Sequence, residues 1–116
     1  MSEKSTRVSG WKARPYVQSL KPFHNSNKQL YGKWETFTVH DDGARYVVYS
    51  YGAHWPLYIH CNGQWYKNVE KVTRTTTKHA SQTHPLTEFI PLSTRDMIVL
   101  AERGITSLTA NLVGAK

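Results

Sequence analysis

Hydrophobic and polar positions alternate most clearly between Lys33 and His40, where Phe37 and Val39 interleave with Thr36, Thr38 and His40. A period of two marks a strand with one dry face, and Asp41–Gly43 supplies turn residues after it. The next run is apolar or aromatic on both faces from Tyr46 to Tyr51 and stops at Gly52. A strand of that kind belongs in the middle of a sheet.

Asn62-Gly63 lies between two strand-like runs and is the preferred pair for a type I′ hairpin turn. A two-residue loop sets the register: Cys61 opposite Gln64, His60 opposite Trp65, Ile59 opposite Tyr66, Tyr58 opposite Lys67. Alternation then assigns Cys61, Ile59, Leu57 and Tyr66 to the dry face. His60, Tyr58, Trp65 and Lys67 share the other, an aromatic and basic surface. Pro56 cannot donate to a ladder, so its strand lies at an edge or begins there.

Glu70 to Thr77 is β-branched and predicts one more strand, while Lys78–Pro85 lacks periodicity and reads as a loop or a single helical turn. Leu86–Leu92 predicts a short strand interrupted by Pro91. A helix follows. Ser93 and Asp96 form a capping box, Leu92 and Met97 a hydrophobic staple, Met97, Ile98, Leu100 and Ala101 an apolar stripe, and Gly104 the left-handed stop. The last eleven residues read as a final strand or an extended tail. These elements predict an α+β domain over residues 31–116, an antiparallel sheet of four to five strands with one C-terminal helix packed on one face. Residues 1–30 show no period and read as a basic, partly flexible N-terminal arm.

Composition adds bounds. The chain has 116 residues, enough for one domain, and its fourteen aromatic side chains compensate for few aliphatic ones. Net charge is +7, and seven of the fifteen basic side chains lie in the first 36 residues. An anionic partner is the first class to consider. A lone cysteine, Cys61, excludes an internal disulfide and fits a reducing compartment. No run is long and apolar enough for a membrane span, and the polar opening does not resemble a signal peptide, so a cytoplasmic protein with no membrane partner is expected. No cofactor or metal motif is present: the histidines lack the spacing of a helical ligand pair, and no glycine-rich phosphate loop occurs.

Candidate chemistry concentrates between Thr75 and Pro85. Threonines, Ser81 and Gln82 suit an exposed edge strand and the loop after it, which needs no function at all. A second reading is binding of a nucleic-acid backbone or similar anion. Lys78, His79, Ser81, His54, Ser50 and Thr76 would grip the anion, Tyr58 and Trp65 would stack on bases beside Lys67, and Lys4, Arg7, Lys12 and Arg14 would supply diffuse attraction. A third is a metal-independent ribonuclease using His54, His79, His84, Lys78 and Tyr51 as base, acid and cation.

Two segments carry a resemblance. Tyr49-Ser50-Tyr51-Gly52-Ala53-His54-Trp55-Pro56 and Thr75-Thr76-Thr77-Lys78-His79-Ala80-Ser81-Gln82, with Trp65–Asn68 between them, resemble a family of small uncharacterised proteins found largely in bacteriophages and microbial genomes. The likeness spans about residues 44–86. It implies a phage origin and the meeting of the two runs in space, with Ser50, His54, Lys78 and His79 around one pocket. It supplies no catalytic residues. In that setting the expected partner is nucleic acid or a host protein that handles nucleic acid, and the expected role is host takeover or inhibition of host defence.

Overall fold

The computed structural model describes residues 5–35, 44–51, 55–61, 63–70 and 74–103. Its strands are β1 (Thr6–Arg7), β2 (Phe23–His24), β3 (Leu30–Glu35), β4 (Arg45–Ser50), β5 (Pro56–Cys61), β6 (Gln64–Asn68) and β7 (Ile90–Leu92). They lie side by side in sequence order within one sheet. Three helices accompany them, α1 (Arg14–Gln18), α2 (Arg74–Thr83) and α3 (Thr94–Arg103), with a 3-10 turn at Gly10–Lys12. Among these residues no helix is long and apolar enough to cross a membrane.

The middle strands run antiparallel from β2 to β6, but both edge pairs, β1 with β2 and β6 with β7, are parallel. This corrects the expected antiparallel sheet of four to five strands with a single helix. The sheet is mixed, has seven strands, and packs with three helices. Parallel neighbours need a crossover connection, and α1 and α2 each lie in one. The crossover through α2 went unforeseen because Thr75–Thr77 reads as strand and Lys78–Pro85 as loop, whereas residues 74–83 are one continuous helix.

β4 is the fourth of the seven strands and is buried along its whole length, as its two-sided apolar pattern requires. The β5–β6 hairpin has the register expected of its turn, with Gly63 at φ +76°. Pro56 opens β5, an interior strand between β4 and β6. Leu57 departs from simple alternation. Between β4 and β5 the register shifts at Val48/Tyr49, where Tyr49 faces Pro56 and Val48 faces Tyr58. The extra residue puts Leu57 in the cluster that holds Tyr58 rather than beside Ile59.

One face buries Val47, Tyr49, Ile59, Cys61 and Tyr66 against Met97, Leu100 and Ala101 of α3. Ser93 caps that helix, accepting the Asp96 N–H through Oγ at 3.2 Å. Gly104, the expected stop, lies outside the described residues, as do the segments 36–43 and 104–116 with their expected strand, turn and tail. The opposite face buries Tyr46, Val48, Leu57 and Tyr58 against Ala13, Val17 and Phe23 of the N-terminal segment, with Ala80 of α2 beside them. Gly32 is required there, since a Cβ would run into the Phe23 ring and the Tyr46 hydroxyl. The N-terminal residues are tied down further by Tyr46 Oη donating to Lys21 O at 2.7 Å and Trp34 Nε1 to Leu20 O at 3.0 Å.

Candidate functional site

α2 has no Leu, Ile or Val, so it docks through hydrogen bonds as well as contact. Tyr58 Oη donates to Ala80 O at 2.7 Å, while within the helix the buried Thr83 Oγ1 is satisfied by donating back to His79 O at 2.7 Å. At its C-terminal end Arg14 donates through Nη2 to Ser81 O at 2.7 Å and through Nε to His84 O at 2.8 Å. A guanidinium there satisfies orphan carbonyls and complements the negative end of the helix dipole. Arg14 is thus engaged in holding the fold.

The two resembling runs do meet. Ser50 Oγ and His79 Nδ1 are 2.8 Å apart, and the Tyr51 ring lies 5.7 Å from the imidazole. Tyr51 is partly exposed and takes a left-handed φ of +62°. The pair itself is enclosed, with Ser50 0% and His79 5% exposed. Burial, and then the charge of Lys78, lower the His79 pKa. The imidazole is therefore held as a neutral core group. Lys78 is exposed, about 100° further round the helix. The shared solvent-facing pocket expected for Ser50, Lys78 and His79 does not form, and His54 lies outside the described residues, as does Lys4.

Tyr58 is 0% exposed and offers no face to a base. Trp65 is half-buried, edge-on to Tyr46 at 6.4 Å and to His60 at 5.1 Å. The surface expected to carry both rings is covered by α2 and the N-terminal segment. Thr76 is buried, whereas Arg7, Lys12 and Ser81 are exposed.

A different hollow opens between α2 and the hairpin, a cavity of about 340 Å³. Its apolar lining is Leu57, Tyr58, Val69 and Ala80, and its polar lining is Lys67, Asn68, Glu70, Thr76, Thr77, Ser81 and His84. The polar groups are not equivalent. Asn68 is consumed: Nδ2 donates to Pro56 O at 3.1 Å and Thr94 Oγ1 at 2.9 Å, and Oδ1 accepts the Glu70 N–H at 2.9 Å. Glu70 accepts the Thr94 N–H at 3.1 Å, and its bonds to Thr94 lower its pKa.

Lys67 stands over the Phe89 ring at 5.0 Å, and among the described residues no carboxylate lies within ion-pair distance of it. His84 Nδ1 accepts the Leu86 N–H at 2.9 Å, so the neutral ring carries its proton on Nε2. Burial, then Lys67 and Arg14, lower its pKa and favour that neutral form. The cavity thus holds a cation that makes no ion pair among the described residues, beside an imidazole N–H donor, with the Glu70 carboxylate elsewhere on the lining.

Sequence reasoning named Lys67, Thr76 and Ser81 but scattered them, and it counted His84 only among ribonuclease imidazoles. Missed entirely were Glu70, Asn68 and Trp11, which is 70% exposed next to Lys12. A large exposed indole beside a lysine is a legible signal, but it sat in a segment read as an unstructured arm. Among the described residues no three His, Cys, Asp or Glu side chains gather as a metal site requires. Compared with known protein families, with curated proteins and with solved structures, the chain matches none.

Proposed function

We propose that the chain is a small basic binding module that engages nucleic acid. The observation that carries this reading is Lys67 in the α2–hairpin cavity, a cation that makes no ion pair among the described residues, beside the His84 imidazole in a chain of net charge +7. Such a site attracts phosphate, and the basic excess draws a polyanion toward it.

The surroundings suit a single strand. At about 100° per residue, Thr77 and Ser81 lie on the flank of α2 beside the cavity, Gln82 on the flank under Gly10, and Lys78 on the crest between. The exposed Trp11 and Lys12 belong to the turn packed on the Gln82 flank. A strand crossing this ridge, about 10–12 Å wide, would meet an indole for stacking, a lysine on the crest and the cavity beyond. A binding role fits better than catalysis, since the ribonuclease set needs an accessible imidazole at His79 next to Lys78. The resemblance to small phage proteins adds the setting, host takeover or blunting of host defence.

Titration of labelled single- and double-stranded DNA and RNA at two salt concentrations tests the reading. Three or four phosphate contacts from Lys67, Lys78, Lys12 and Arg7 should weaken single-strand binding about 20- to 50-fold between ~50 and ~200 mM salt. Absence of binding at the lower salt would sink it and point to capture of a host protein instead.

A further inference from the structure

We infer that the α2–hairpin cavity takes one nucleotide bearing a terminal phosphomonoester, as a free mononucleotide or as the end of a strand. The inference rests on the nucleic-acid reading and narrows it from a backbone to an end. Size comes first. At about 340 Å³ the cavity is at the lower limit of ligand pockets, which run from ~300 to ~1,000 Å³. That is room for one nucleotide unit.

Shape comes second. The floor is closed by Leu57 and Tyr58, both core residues, while α2 forms one wall and residues 67–70 the other. The two walls and the floor hold a single unit on three sides.

Chemistry decides the class. The apolar floor accepts a base or sugar ring, while Lys67, the His84 Nε2–H and the Ser81 hydroxyl can donate to phosphate oxygens. A phosphomonoester carries more charge than a diester and more unesterified oxygens, so it gains most from these donors. Glu70 lies on the same lining, fixed by the Thr94 N–H, and can accept a hydroxyl. Ribose carries such hydroxyls and a phosphorylated side chain does not, which favours a nucleotide over a phosphopeptide.

The test compares AMP with adenosine and inorganic phosphate, and a 5′-phosphorylated or 3′-phosphorylated RNA decamer with its hydroxyl-ended counterpart, on the full chain. One phosphorylated end should bind at least about tenfold tighter than the hydroxyl-ended decamer, and AMP should exceed adenosine and phosphate by a similar factor. Lys67→Met keeps the stem over Phe89 and removes the charge, and should abolish the preference. His84→Asn keeps an acceptor for the Leu86 N–H and removes the Nε2–H, and should reduce it.

Equal binding of phosphorylated and hydroxyl-ended decamers, with steep salt dependence in both, overturns this inference and leaves the broader reading standing. Tight AMP binding with no binding of any decamer supports the cavity assignment and overturns the nucleic-acid reading. Phosphate competing as well as AMP reduces the site to a simple anion hole and overturns the nucleotide.

Discussion

The two faces of the sheet are closed by different means. α3 covers its face mainly with the bulk of Met97, Leu100 and Ala101, with one buried bond across the seam, Arg45 Nε donating to Ala101 O at 2.9 Å, and Asn68 and Glu70 holding its first residue, Thr94. α2 and the N-terminal segment cover the other face with Ala80, Ala13, Val17 and Phe23, and with hydrogen bonds from Tyr58, Arg14 and Tyr46 to main-chain oxygens. With little apolar bulk of its own, α2 depends on such bonds for its register, since each buried donor left without its acceptor costs about 1–3 kcal/mol. The polar face is also where the cavity opens, because a helix without large apolar side chains leaves space beside the hairpin.

The sharpest way to separate the two is truncation. Leu100→Ala should destabilise the protein by about 2–5 kcal/mol, through lost burial and the remaining void. Denaturant unfolding followed by circular dichroism would read it, and a loss under ~1 kcal/mol would mean that α3 is not seated as described. On the other face the corresponding stress is overpacking. Gly32→Ala should cost about 1–3 kcal/mol, because the added methyl meets the Phe23 ring and the Tyr46 hydroxyl, both in a filled core.

Acid should distinguish the faces in a smaller but more specific way. His60, His79 and His84 lie on the α2 side, and burial is the first cause that lowers each pKa. At pH 7.5 all three are largely neutral in both folded and unfolded chains. As pH falls below the ordinary histidine value of about 6.5, the unfolded chain takes up protons that the folded one resists, so stability declines. Melting temperatures from pH 7.5 to 5 should show this slope, and His79→Gln should flatten part of it. Hydrogen exchange should register the loss in α2 before α3. Equal loosening of both helices would contradict the division.

The same division explains what could be read from the chain. Ser93 with Asp96, the stripe from Met97 to Ala101, Asn62-Gly63 and the two-sided run of β4 are local signals, each legible within a few residues. The seat of α2 is not local. Thr76, His79 and Thr83 form a buried helical face, yet their side chains carry the pattern of a strand or loop until Tyr58 and Ser50 supply partners from strands earlier in the chain. The parallel β6–β7 edge and the cavity follow from that docking. The resembling runs hinted that Ser50 and His79 meet, but nothing in the sequence said that they meet inside the core. Leu57 shows a smaller failure of the same kind, since one bulged residue reversed its face without any marker of its own.

The mildest expected effect concerns two neighbours on α2. His79 is in the core and Lys78 is on the crest of the helix, free of any ion pair among the described residues. Lys78→Ala removes a solvated ammonium and adds a good helix former, so stability should stay within about 0.5 kcal/mol of the parent. Nucleic-acid affinity should nevertheless fall evenly across sequences, and the salt dependence should lose about one phosphate contact, ~0.7 in slope for a single strand. Fluorescence anisotropy at four salt concentrations is enough to measure that slope. An unchanged slope alongside an unchanged fold would take the crest of α2 out of the binding surface and leave the cavity and the Trp11 turn as separate patches.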